Sequence, residues 1–232
     1  MFPIRDDAPR STTPYVNYVL IFFNVAAFLF TLMLPMRQQD EFLYQFGVMP
    51  TNVSAVLHGD PNITFSTAIV PFLTSMFLHA SWLHLGGNML ALWIFGDNIE
   101  DYLGHFKYLV FYLVSGFAAD VLHVMLNQHS NIPTVGASGA IAGVMGAFFL
   151  LFPTARVLTM LPIGIFFVWL PAWIVLGYWF VSQFLSGAVT SIQHTQNVGG
   201  VAFWAHVGGF IAGATMVKVF PPRVQRYSFL DQ

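Results

Sequence analysis

Apolar residues run through this chain in long blocks separated by short polar breaks. A run of about 20 such residues suits a helix crossing a hydrocarbon core about 30 Å thick. Six blocks of roughly this kind can be read, at about 18–35, 83–102, 106–127, 136–152, 163–185 and 203–220. The fourth is the shortest and is crowded with Gly and Ala. Two connections stand out. The first loop, about 36–81, holds Arg37, Asp40, Glu41, His58 and Asp60 together with apolar patches such as 42–48. A connection that long usually carries structure or function of its own. The second, 186–200, is polar and contains His194, Gln196 and Asn197.

Composition makes the class plain. Hydrophobic residues are 56% of the 232 and charged residues only 8%, against about 25% charged in an ordinary soluble domain. Such a chain cannot clothe a water-facing surface, so it reads as an integral membrane protein with little mass outside the bilayer. Eight basic against ten acidic residues give no footprint for nucleic acid. The absence of cysteine excludes disulfides, thiolate metal sites and a thiol nucleophile. No small-residue cleavage site follows the first apolar block, which is therefore expected to stay as a helix.

Six spans would put both termini on one side. Cytoplasmic loops are enriched in Lys and Arg. With the N-terminus inside, the inner segments hold Arg5, Arg10, Lys107, Arg156, Lys218, Arg223 and Arg226, and the outer ones only Arg37. The expected architecture is an all-α, six-helix polytopic bundle with cytoplasmic termini. It has an N-terminal segment at 1–15, a membrane domain at 16–220 and a tail at 221–232.

Polar groups within membrane segments are costly and tend to mark function. In this topology the second, fourth and sixth helices run in the same direction, so their first turns share one level near the outer surface. Ser138 opens the fourth, His206 the sixth, and His84 and Asn88 lie four apart on one face of the second. Singly, Ser138 reads as a packing hydroxyl, His206 as an interhelical donor and His84 with Asn88 as a structural pair. Together they form a constellation. A serine needs an adjacent base to become a nucleophile, and neutral His206 could take its proton and return it to a leaving amine. Asn88 and His84 could donate to a tetrahedral oxyanion, joined by the Ser138 backbone N–H. Gly139, Gly143 and Gly146, facing Gly209 and Gly213, would let the fourth and sixth backbones approach closely.

These residues carry a resemblance. His79-Ala80-Ser81-Trp82-Leu83-His84-Leu85-Gly86-Gly87-Asn88 is similar to the rhomboid pattern H-x-x-x-x-H-x-x-x-N. Gly136-Ala137-Ser138-Gly139 resembles its G-x-S-G, and Ala205-His206-Val207-Gly208-Gly209 with Gly213 resembles its A-H-x-x-G-x-x-x-G. Glu100 with Gly104 matches a less diagnostic E-x-x-x-G. The resemblance implies a serine-type intramembrane endopeptidase, with Ser138 as nucleophile, His206 as general base and acid, and Asn88 and His84 at the oxyanion. It implies substrates that are transmembrane proteins, met within the lipid bilayer, and requires no cofactor or metal. It also implies a structural or water-organising His79, and a fifth helix that gates lateral entry with the loop after it as a cap. Family substrates tend to carry a small residue before the scissile bond and helix-destabilising residues beyond it. A prokaryotic inner membrane is the expected location.

Two positions depart from the pattern of some members. A Trp-Arg pair in the first loop is replaced by Val70 and Pro71, and a tyrosine four residues after the serine is Ala142. The second change leaves support of His206 to another aromatic. Asp120 is not assigned to the machinery and is expected to pair structurally with His123. Asp97, Glu100 and Asp101 are expected to be solvated or paired, and His105, His129 and His194 to be surface residues. Trp169, Trp173, Trp179 and Trp204 read as interfacial anchors or fifth-helix packing. Rival classes lack their signatures: there is no H-E-x-x-H for a zinc protease, no G-x-G-D for an aspartyl protease and no half-chain repeat for a transporter. A non-catalytic rhomboid-like chaperone would not need both Ser138 and His206.

Overall fold

The computed structural model describes residues 1–161, 166–192 and 202–223. Helix α1 (Tyr15–Met33) leads into a first loop that is itself mostly helical. It contains α2 (Met36–Phe46), α3 (Pro50–Leu57), α4 (Phe65–Ile69), α5 (Pro71–Thr74) and a single 3-10 turn (Ser75–Phe77). Then come α6 (Trp82–Leu103) and α7 (His105–Leu126). The Ser81 hydroxyl caps α6 by accepting the His84 N–H at 3.2 Å, and Gly104, at φ 79°, turns the chain directly into α7.

Helices α1, α7 and α9 (Ala172–Ile192) are each long and apolar enough to cross a membrane. Helix α6 qualifies when joined to the 65–77 segment, from which it bends by 75°. Helix α8 (Ser138–Leu151) has 14 residues, about 21 Å at 1.5 Å per residue. It is buried without a break from Gly139 to Phe148, among α6, α7 and α10 (Phe203–Met216). All-round burial explains its composition, because small residues are what three close neighbours permit.

The chain is mostly helical but not all-α. Beyond the C-terminal end of α8, strand β1 (Phe2–Asp6) pairs antiparallel with β2 (Arg156–Leu161), which pairs antiparallel with β3 (Phe166–Pro171). The β2–β3 register runs from Arg156 opposite Pro171 to Leu161 opposite Phe166. Pro3, with no N–H to give, lies on an outer strand beside a register shift. Among its described residues, the fifth apolar block therefore does not begin as a helix. Its described start is the strand β3, and the helix follows from Ala172 to Ile192. Residues 166–169, Phe-Phe-Val-Trp, are β-favouring, and Pro171 suits the entry to a helix better than its middle.

The segment before α1 is bound to the end of α6. Arg10 pairs with Asp97 at 2.8 Å, and Asp101 accepts from the Ser11 backbone and hydroxyl and from the Thr12 hydroxyl. The buried Glu100 carboxylate accepts the Val16 and Asn17 N–H groups, acting as a remote cap for α1, and meets His105 Nδ1. The Asn17 amide donates to the Leu92 carbonyl and its oxygen accepts from Tyr108. Asp97, Glu100 and Asp101 are thus all paired. His105 is not a loop residue but the first residue of α7, half-exposed and joined to Glu100.

Candidate active site

Ser138 is the first residue of α8, where a backbone N–H has no intrahelical acceptor. The loop before it is held from two sides. The Gly136 N–H donates to the Ser75 carbonyl at 2.9 Å, and Val48 forms a β-bridge with Thr134. Gly136 has φ 128°, and a Cβ there would lie 2.7 Å from the His84 ring, so only glycine suits both the backbone and the space.

The seam between α8 and α10 brings the two helix starts together. A Cβ on Gly209 would strike the Gly139 carbonyl, one on Gly213 the backbone of Gly143, and one on Gly146 the backbone of Phe210. This backbone contact sets Ser138 Oγ 2.8 Å from His206 Nε2. The far ring nitrogen of His206, Nδ1, lies 2.7 Å from Gln183 Oε1 on α9. Trp179, one turn before Gln183, packs against the same imidazole, with ring centroids 5.6 Å apart and planes inclined by 34°. The aromatic support that Ala142 does not provide comes from Trp179.

Of the other two expected residues, His84 lies beside Ser138, and Asn88 is connected to His84 through His79. The His84 ring sits against Gly136, whose hypothetical Cβ would also be 3.6 Å from Ser138 Oγ. The Asn88 amide bonds to His79 Nε2 at 2.9 Å, and the His79 and His84 rings stand edge to face at 5.0 Å. His79 therefore orients Asn88 from behind. The described residues include no group of three or more His, Cys, Asp or Glu side chains that could hold a metal.

One expected pairing is absent. Asp120 and His123 do not bond each other. The Ser75 hydroxyl donates to Asp120 at 3.4 Å, while both ring nitrogens of buried His123 are without a partner among the described residues. Asp120 turns towards the first loop, whose Ser75 also holds Gly136. His194 and the other polar residues of 193–201 lie outside the described residues. Gln183 and Trp179 are the two site residues that the sequence did not disclose. A glutamine four residues after a tryptophan in an apolar helix was the available signal.

The Rhomboid domain family profile matches residues 66–223, which include His79, His84, Asn88, Ser138 and His206. The chain belongs to the rhomboid family. Rhomboid protein 1, mitochondrial, of Saccharomyces cerevisiae is 36% identical over 98 residues, covering 40% of this chain and 28% of the relative. RHOMBOID-like protein 6, mitochondrial, of Arabidopsis thaliana is 43% identical over 75 residues, 32% of this chain and 24% of the relative. Rhomboid protease GluP of Bacillus subtilis is 31% identical over 144 residues, 62% of this chain and 25% of that protein. This rhomboid thus spans about a quarter of the length of these curated relatives. Family and apolar helices together make it an integral membrane protein.

Proposed function

We propose that this rhomboid is a serine-type intramembrane endopeptidase that cleaves transmembrane segments of other membrane proteins. The observation that carries the reading is the 2.8 Å contact between Ser138 Oγ and His206 Nε2. In this mechanism Ser138 Oγ attacks the scissile carbonyl carbon as His206 takes its proton. The imidazolium then gives that proton to the leaving amine, and water hydrolyses the acyl-enzyme by the same exchange. Asn88, His84 and the Ser138 N–H supply the oxyanion donors. Asn88 has a second amide proton besides the one facing His79, which leaves it free to donate. The helix dipole at the start of α8 favours the same negative charge.

Helix length supports cleavage within the bilayer. At about 21 Å, α8 falls some 10 Å short of a ~30 Å hydrocarbon core. If its C-terminal end reaches one interface, Ser138 sits well below the other. A substrate helix hides its amides in hydrogen bonds and must unwind locally before attack, which fits substrates with helix-destabilising residues near the scissile bond. The basic residues Arg5, Arg10, Lys107, Arg156, Lys218 and Arg223 favour the sheet end on the cytoplasmic side and the Ser138 end outside. A bacterial inner membrane fits this orientation, and relatives in mitochondria make an organelle membrane the competing location.

The test is labelling by a fluorophosphonate probe together with cleavage of a transmembrane reporter. The wild type is expected to do both and Ser138→Ala neither, while remaining folded and inserted. Reporter cleavage by purified Ser138→Ala would refute the assignment. A wild type that is neither labelled nor active would favour a non-catalytic rhomboid-like chaperone.

A further inference from the structure

We propose that Gln183 is the positioning residue that determines which nitrogen of His206 acts as the base. The inference rests on the Ser138–His206 reading and goes beyond a two-residue mechanism. An uncharged imidazole carries its proton on either ring nitrogen, and only the form with a bare Nε2 can accept from Ser138. The surrounding hydrogen bonds select that form. The Ser182 hydroxyl donates to the Trp179 carbonyl at 2.6 Å, which uses its one proton. Ser182 Oγ, 3.3 Å from Gln183 Nε2, can then only accept, so the Gln183 amide must turn its nitrogen to Ser182. Gln183 Oε1 is thereby left facing His206 Nδ1 at 2.7 Å. An amide oxygen cannot donate, so Nδ1 carries the proton and Nε2 presents its lone pair to Ser138.

The bracing is geometric as well as electronic. Trp179 and Gln183 are four apart on α9 and so share a face. One lies against the imidazole ring while the other holds its edge. Position and tautomer of the base, which belongs to α10, are therefore set from α9. A neutral amide cannot stabilise the imidazolium as a carboxylate does. Its contribution should be smaller than the ~10⁴-fold attributed to the buried aspartate of a Ser-His-Asp triad.

The experiment measures reporter cleavage against pH with the full chain in detergent or bilayer discs. Gln183→Met keeps length and removes the acceptor, and kcat should fall by about 10- to 100-fold with KM within about twofold. Gln183→Glu restores an acceptor and adds negative charge, which favours the imidazolium. It should keep kcat near wild type and move the acid limb of the profile to higher pH. Wild-type kcat in Gln183→Met would overturn the inference, as would a Gln183→Glu profile with an unmoved acid limb. If Gln183→Met does not fold, the Gln183→Glu limb decides alone. Failure of the underlying dyad appears separately, as cleavage that survives Ser138→Ala.

Discussion

Replacing Gly209 by alanine tests whether the α8–α10 seam sets the catalytic distance. The substitution adds one methyl group three residues after His206, on the face that meets Gly139, the neighbour of Ser138. Its carbon would strike the Gly139 carbonyl oxygen, lie 3.0 Å from the carbonyl carbon and 3.3 Å from Ala142 Cβ. Carbon atoms prefer about 3.5–4.0 Å, and the clash with the carbonyl oxygen is tighter than either carbon contact, so the helices must part by about 1 Å or more. Applied to Ser138 and His206, that separation stretches 2.8 Å to about 3.8 Å or more, beyond the limit of a useful hydrogen bond. A displacement near 1 Å can cost about 10²-fold in rate, and overpacking typically costs about 1–3 kcal/mol of stability. Gly209→Ala should therefore lower kcat by one to two orders of magnitude and lower the melting temperature in detergent. Gly87→Ala on α6, where nothing lies within 4 Å of the added carbon, is the stability control and should melt no lower than wild type. If Gly209→Ala cleaves the reporter at the wild-type rate, the backbone seam does not set the Ser138–His206 distance.

Two further outcomes follow from the site and from the sheet. Asn88→Ala should lower kcat by about 10²- to 10³-fold, the usual cost of an oxyanion donor, with KM little changed; steady-state kinetics check this, and an unaltered turnover number removes Asn88 from that role. Burial pushes the Asp6 carboxyl from its ordinary 3.8 up to about 6, opposed by the Ala8 N–H and reinforced by the nearby Asp97 carboxylate. A raised carboxyl pKa means that the folded state binds the extra proton, so stability falls as pH rises from about 4 to above 6. With solvent screening of a partly exposed group, the loss is about 1 kcal/mol. Asp6→Asn, which can still accept from Ala8, should melt above wild type at pH 7.5 and alongside it at pH 4; equal melting at both values would contradict the account.

Much of the helical frame could be read from the sequence because local signals agree with the tertiary result. The bounds of α6 follow from Ser81 as cap and Gly104 as stop, and those of α7 from the same glycine and a polar end. The fifth block was misread at its start for a physical reason. An uninterrupted apolar run has no period, so hydropathy alone does not separate a strand from the opening of a helix. The aromatic and β-branched content of 166–169 and Pro171 were the discriminating cues, and the partners of that strand lie far away in sequence. Distance also hid Gln183, whose partner His206 is 23 residues further on. The spacing of Asp120 and His123 suggested a contact along one helix, yet Asp120 bonds Ser75, 45 residues earlier. The Ser138–His206 contact was easier to anticipate, because each residue stands near the start of an apolar block and the two blocks are two apart in the chain.

The sheet at the end opposite Ser138 bears on how the protein is made. Strand β1 has no partner until β2 exists, and the Asp7 carboxylate meets the Arg156 N–H across 149 residues. At about 5–20 residues per second of synthesis, the first strand waits roughly 7–30 s for its neighbour. For the first part of that interval α1 also lacks its remote cap, because Glu100 is made some 84 residues after Val16. Strand β1 is thus made well before the strand that it pairs with. Pairing of β1 becomes possible only when the helix that begins with Ser138 has been completed.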